Sequence, residues 1–307
     1  MQRLYPSVPA VALLLMVACG DAAGPGNANE NDRAEILTIL QESGWFDETF
    51  GEEGATVDAS LAVVGFDLRL ASAAMDTVPL IQRWGRRYHA PTNRSREVNV
   101  SGDTATVDWS VRFADGEFML DRTNDGVPNP TSKPMDVSAL MTATLVRRAE
   151  PDSAGRRWRL VALSPRRLVP TDESRRTVSL TAVTVAVNGV VVKTITDASR
   201  RDPAEGVLAL EIGDEVRVMA EVQSTTGLAN IPETFVFLHL YHARADTRGW
   251  MRVPMRRVDA TTWAQIWIAR HEGRQQLSVD ALDSQTFNSD TDDDYRGEAW
   301  GVPYRIR

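Results

Sequence analysis

Oxygen-bearing side chains recur through Asp121-Arg122-Thr123-Asn124-Asp125-Gly126-Val127-Pro128-Asn129-Pro130-Thr131-Ser132, at a spacing that lets a loop wrap a hard cation. Laid on a twelve-residue calcium loop, Asp121, Thr123, Asp125 and Asn129 take the first, third, fifth and ninth positions. Gly126 takes the sixth, where the chain must turn sharply for successive oxygens to converge on one calcium ion. Thr123 stands where an acid or amide is usual, and Ser132 replaces the bidentate acid at the end. The same Asp, Asn, Gly and Pro content also makes an ordinary turn between two strands, and the incomplete match favours that reading. A second run, Asn288 to Asp294, places Asp290, Asp292, Asp293 and Asp294 close together, where they repel one another unless solvent or a cation screens them. Tyr295 follows where a calcium loop would want glycine, so a solvated acidic loop is the simpler reading.

Other catalytic constellations are sparse. His239 and His242 are an odd number of residues apart and would point to opposite faces of a strand, which argues against a shared zinc ion. The sequence has no Gly-x-Ser-x-Gly elbow, no His-Glu-x-x-His motif and no phosphate-cradling glycine loop. Asp108 and Glu117 are conceivable as paired carboxylates, yet nothing in the sequence sets them apart from surface acids. Between Arg147 and Arg176 nine arginines face four acids, an excess that suits an anionic partner or, more simply, solvated strand and linker faces. The net charge of −8 argues against a nucleic-acid partner. The tryptophans of the C-terminal half, Trp263, Trp267 and Trp300 among them, read as core, with Trp250 beside Gly249 the best candidate for exposure.

Cys19 is the one thiol of the chain. It follows a single positive side chain, Arg3, and an apolar run from Val8 to Ala18, the layout of a signal peptide too short to span a membrane. Met16-Val17-Ala18-Cys19 resembles the lipobox of bacterial lipoproteins. That resemblance implies acylation of Cys19, a membrane partner reached through the lipid, and cleavage after residue 18. Gly20 stands where an aspartate would retain an enteric lipoprotein in the inner membrane, so the outer membrane is the expected location. Residues 19–30 hold few large apolar groups and read as a flexible tether. With the thiol acylated, no cysteine chemistry remains.

The elements that would position these residues fall into two groups. Asn31 to Trp45 carries Ile36, Leu37, Ile39 and Leu40 on one side and predicts an amphipathic helix; Ala73 to Tyr88 predicts a second. From Arg94 the period becomes two. Val98 and Val100, then Ala105, Val107, Trp109, Val111 and Phe113, predict a hairpin around Ser101-Gly102-Asp103, with further strands at Val137 to Arg148 and Arg157 to Leu163. Helices followed by a curved antiparallel sheet make the expected fold of residues 31–168 an α+β domain, whose element order resembles the NTF2-like fold. Residues 169–176 lie in a basic, proline-punctuated stretch that reads as a linker. Residues 177–307 read as an all-β sandwich with an immunoglobulin-like resemblance, opened by the strong hairpin signal Asn188-Gly189. The function expected on these grounds is that of a non-enzymatic envelope lipoprotein, a binding or scaffold module for an envelope protein or glycan. The competing expectation is a small-ligand carrier or enzyme with a cavity in the N-terminal domain.

Overall fold

The computed structural model describes residues 25–46, 83–121, 129–203, 207–225, 234–243, 248–270, 272–288 and 295–307. Cys19 with its signal segment, the stretch 51–70 and residues 73–82 of the second expected helix lie outside them.

The first helix forms as its apolar stripe requires. α1 runs Pro25–Ser43, beginning earlier than Asn31, and buries Ile36 and Leu40, one turn apart, against the sheet. Its polar side is held as firmly. Glu35 Oε1 accepts the amides of Arg157 and Trp158 at 2.6 and 2.7 Å, Asp32 accepts the Trp158 indole N–H and the Arg147 guanidinium, and Glu42 pairs with Arg156.

Beyond α1 the described chain is dominated by strands. In order, β1 is Arg83–Arg87, β2 Asn93–Ser101, β3 Thr104–Asp121, β4 Thr131–Arg147, β5 Trp158–Leu163, β6 Arg166–Pro170, β7 Val178–Val187, β8 Val190–Ile195 and β9 Asp202–Pro203. Then come β10 Leu208–Leu210, β11 Glu215–Ser224, β12 Thr234–Ala243, β13 Arg248–Pro254, β14 Arg256–Arg257, β15 Thr262–Ile268, β16 Gly273–Asp283, the short helix α2 Ser284–Asn288 and β17 Gly297–Ile306. A large curled sheet follows the path β1-β3-β4-β6-β17-β16-β12-β13, and a five-stranded sheet has the order β14-β15-β11-β7-β8.

The α+β expectation for the N-terminal half is therefore corrected. The fold is mostly strand, and the helical contribution is too small for a domain of helices plus sheet. Part of the reason is visible at the second expected helix. Its last turn, Arg83 to Arg87, is strand β1, paired with β3 from Arg83↔Asp121 to Arg87↔Glu117. Trp84 and Arg86 sit two apart and both turn inward, the period of a strand.

The segment expected to link two domains also carries a strand. β6 lies between β4 and β17, with Leu168 opposite Ala139 on one side and Ala299 on the other. The large sheet thus runs without a break from the N-terminal meander into the C-terminal strands. Those strands separate two cores. On β12, Phe237 faces the core that holds Ile36, Trp84, Trp109 and Trp158, while Val236 and Leu238 face the core made with Val183, Val185, Val216 and Val218 of the five-stranded sheet. Strands buried on both faces cannot alternate apolar with polar, and β16 and β17 are buried along nearly their whole length.

The hairpin read from Asn188-Gly189 forms as expected between β7 and β8, with φ of +49° and +82° at the two turn residues. Within the central layer the backbone approaches closely at Gly297. A Cβ there would sit 2.5 Å from Leu282 Cδ2 and 2.8 Å from the Ala281 carbonyl oxygen. Gly297→Ala should therefore lower stability by about 1–3 kcal/mol, seen as a lower denaturant midpoint at constant slope; an unchanged midpoint would show that the two strands can part to admit a methyl group.

Candidate functional site

Trp84 and Arg86 of β1, His239 of β12, Asp280 of β16 and Tyr295 ahead of β17 converge in the first core. Arg86 reaches Asp280 with both guanidinium ends, Nη1 to Oδ2 and Nη2 to Oδ1 each at 2.7 Å, and Nη2 also donates to the Tyr295 oxygen at 2.6 Å. His239 Nε2 lies 3.2 Å from Asp280 Oδ2. The Trp84 ring lies beneath Arg252 at 3.6 Å and near Arg86 at 5.3 Å. Burial pushes the Asp280 carboxyl up, but the Arg86 charge and the bonds from His239 and Arg86 outweigh it and hold the group below the usual carboxylate range.

A histidine beside a carboxylate with a tyrosine nearby has the makings of acid–base chemistry. This cluster does not have the access. Arg86 is 1 % exposed and Asp280 0 %, and the carboxylate's two oxygens already face the arginine fork. The arrangement is a closed charge pair that binds β1 to β12 and β16. Glu298 plays a similar role on the neighbouring strand. It is buried on β17, takes the Arg167 guanidinium at 2.6 Å and the Trp300 indole N–H at 2.7 Å, and accepts the Leu180 amide from the other sheet at 3.3 Å.

The residues singled out from sequence are placed as follows. Asp121 ends β3, is buried, and its Oδ2 accepts the amide of Asn129 at 3.3 Å; Asn129 is exposed. Thr123 and Asp125 lie outside the described residues, as do residues 289–294 of the acidic run and the side chains of His242 and Trp250. Among the described residues no three His, Cys, Asp or Glu side chains gather as a metal site. Asp108 and Glu117 are nine residues apart on β3, on the order of 30 Å, and Glu117 is engaged by Arg87 at 2.7 Å. Much of the arginine excess is answered by acids from elsewhere in the chain: Arg147 by Asp32, Arg156 by Glu42, Arg167 by Glu298. Trp263 and Trp300 lie in the second core, and Trp267 packs against it, 5.6 Å from the Tyr304 ring.

What remains open to a partner is an apolar surface. Every exposed large aliphatic residue among those described belongs to the five-stranded sheet or the turns at its ends: Val190, Val191 and Val192 on β8, Ile266 and Ile268 on β15, Ile212 before β11 and Val258 after β14. The turns are fixed to one another, since Asn188 bonds Asp214 and the Gly213 amide donates to Ala269. Between the aliphatic edges the outer face is low and flat, with Ala182, Thr184 and Ala186 on β7 and Ala264 on β15, and β11 crosses its middle with Glu215, Arg217, Met219 and Glu221. Sequence reading does not find this face. The signal is present in the unbroken Val190-Val191-Val192 and in Ile266 and Ile268, which break the apolar–polar alternation on the solvent side.

No protein-family model matches the sequence, and no curated protein matches it. Among solved structures it is aligned to Extended-Synaptotagmin 2, in a structure of its SMP domain and two C2 domains, at 11% identity over 87% of this chain and 89% of that one. The TM-score is 0.15, too slight a likeness to bear on the fold.

Removing one member of the closed pair leaves a buried charge behind. Arg86→Met should destabilise the chain by about 3–5 kcal/mol, and Arg86→Met with Asp280→Leu should recover most of that loss. Additive losses in the double variant, read by denaturant unfolding, would mean the two residues act separately. The acid response has a definite sign as well. Because the folded-state value of Asp280 is below its unfolded value of about 3.9, the pair's contribution is complete above that value and fades as pH falls through the folded one. Asp280→Asn should show a shallower loss of melting temperature than wild type between roughly pH 5 and pH 2; parallel curves would count against this assignment.

Proposed function

We propose that the chain is a non-enzymatic cell-envelope lipoprotein, anchored through lipid on Cys19, that acts as a binding or scaffold module through the outer face of its five-stranded sheet. The observation that carries this reading is that, among the described residues, the exposed large aliphatics are confined to that one sheet and the turns at its ends. Monomeric soluble proteins scatter such residues singly, whereas a grouped set marks an interaction surface. The closed Arg86–Asp280 pair and the buried Glu298 held by Arg167 support the same reading, because these charges are occupied in holding strands together. The membrane partner rests on Met16-Val17-Ala18-Cys19, and the outer membrane on Gly20 after the cysteine.

Two measurements test the two halves of the proposal. Cells grown with labelled palmitate should incorporate label into the wild-type chain and leave it in the membrane fraction, and Cys19→Ala should abolish both; a labelled Cys19→Ala chain would end the lipoprotein reading. Cross-linking in intact cells should yield adducts of the wild-type chain that Ile268→Glu, a change at an exposed position, removes without altering the melting temperature. Adducts that survive this substitution would place the working surface elsewhere.

A further inference from the structure

The turns at one end of the five-stranded sheet carry aliphatic side chains where turns ordinarily carry polar ones, and the residues leading back to Cys19 join the molecule at the same end. We infer that a bilayer surface occupies this end, with Val190, Ile212 and Ile268 dipping into the lipid headgroup region. The inference goes beyond the docking face, whose middle is charged, and it rests on the reading of Cys19 as a lipid anchor.

Three chain segments meet at the tip. Val190 follows the Asn188-Gly189 turn, Ile212 stands in the turn before β11, and Ile268 ends β15 opposite Glu215. They are tied to one another: Asn188 donates to Asp214 at 2.8 Å and accepts the Glu215 amide at 3.0 Å, and the Glu211 amide donates to Asp214 at 2.7 Å. Ala269 accepts from the Gly213 amide and donates to the Asp214 carbonyl, at 2.8 and 2.9 Å. Turn geometry favours Gly, Pro, Asn, Asp and Ser, and an isoleucine between Glu211 and Gly213 does nothing for it. Yet Ile212 is 55% exposed and Val190 64%. From β15 to β8 is three strand spacings, roughly 14 Å, so the aliphatics form one small apolar tip. The tip is already rigid, and contact costs it little further ordering.

The path of the chain toward Cys19 says what covers it. Leu210, two residues before Ile212, is registered beside Ile306, and Ile306 beside Gly273 at the start of β16. Arg274 donates to the carbonyl of Ser43, the last residue of α1, at 3.0 Å. Nearer its start the helix is held by Asp32 to Arg147, the last residue of β4, and to Trp158, the first of β5. β4 and β17 are both antiparallel to β6 and so run the same way, which puts Arg147 and Ile306 at one end of the large sheet. α1 therefore crosses the end that carries the tip. Cys19 comes six residues before Pro25, a reach of at most about 20 Å. Acylation there would keep the tip at high effective concentration over lipid, so that a contact too weak to bind alone is occupied. Charge narrows the lipid chemistry. The exposed acids around the tip, Glu211, Glu215 and Glu272, are balanced by the exposed Arg270, Arg274 and Arg307, so attraction comes from the apolar side chains, with the arginines free to reach phosphates. Val258, exposed to the same degree as Ile212 at 56%, lies at the opposite end of the sheet, where its amide bonds Thr262 beside Glu221.

The test uses residues 20–307, which hold every described element and no cysteine, so that Ile212→Cys gives a single site for an environment-sensitive fluorophore. Titrated with phosphatidylcholine vesicles to about 10 mM lipid, this probe should shift to the blue and be quenched by a nitroxide carried on the lipid, and the same probe on Val258→Cys should do neither. On the acylated chain, whose Cys19 thiol is consumed, both probes should behave alike at roughly a hundredfold less lipid. Val190→Glu and Ile268→Glu should each lower the partition of the unacylated chain about tenfold or more, and both should melt as wild type does, since the positions are exposed. Raising salt from about 0.1 to 0.5 M should leave binding unchanged. A residue-212 probe that stays in water, binding indifferent to both glutamates, or binding lost in salt would each overturn the inference. The outcomes also separate it from the anchor: a residue-212 probe in lipid on a chain that takes no palmitate label would end the anchor and keep the contact, and label on Cys19 with the probe in water would do the reverse. The vesicles hold no second protein, so neither result depends on the in-cell adducts that test the docking face.

Discussion

Burying Arg86 and Asp280 together is the constraint around which the first core is arranged. Each ion alone would lose several kcal/mol of hydration in an apolar interior, so neither can be there without the other. The arginine comes from β1, near the start of the sheet, and the aspartate from β16, 194 residues later. A pair of that separation can form only when the N-terminal meander and the C-terminal strands are already docked. It therefore favours one arrangement of the two halves and penalises every arrangement in which β1 is displaced. Tyr295 and His239 narrow the geometry further, because each meets a member of the pair from another direction.

The rest of the interior is consistent with a fold held from its middle. β12, β16 and β17 have one core on each face, so the C-terminal strands are the shared wall of both. Glu298 draws that wall to β6 through Arg167 and to β7 through the Leu180 amide. α1 closes the far side of the first core by the opposite means. Its apolar stripe is only Ile36, Ile39 and Leu40, and the helix gains its fixed orientation from Asp32 and Glu35 gripping the start of β5. A helix with so narrow an apolar stripe takes most of its stability from packing.

How much of this is legible in the sequence depends on how local the cause is. The hairpin at Asn188-Gly189, the meander from Val98 to Phe113 and the apolar side of α1 follow from periodicity and turn chemistry within a dozen residues, and they form where expected. β6 is not legible, because Pro165 precedes it, Pro170 ends it and its arginines suggest solvent, whereas in the sheet Arg166 is buried over the Trp109 ring. Arg86 is hidden for the same kind of reason: an arginine in Arg83-Trp84-Gly85-Arg86-Arg87 has no local mark of burial, and its partner lies near the other end of the chain. Asp280 does carry a mark, as a lone acid inside Leu277-Ser278-Val279-Asp280-Ala281-Leu282, and a charge in such a run implies a buried partner. The α+β expectation fails because it gives Arg83 to Arg87 a helical period when Trp84 and Arg86 follow that of a strand.

The two sheets treat charge in opposite ways, and the difference bears on function. In the large sheet Arg86, Asp280 and Glu298 are used inward, Arg86 and Asp280 satisfying each other and Glu298 held by the partly exposed Arg167. On the five-stranded sheet Glu215, Arg217, Glu221 and Arg256 are kept outward, on a face that also carries Met219, alanine, threonine and exposed valine and isoleucine. An apolar face left open invites indiscriminate association, and the customary protection is a set of charges that all repel. Here the charges alternate in sign along β11. Alternation does not repel every visitor; it admits one whose charges run in the reverse order. A surface built in that way combines apolar area, which supplies attraction without direction, with a charge pattern that supplies register, and that combination is what a specific docking face requires.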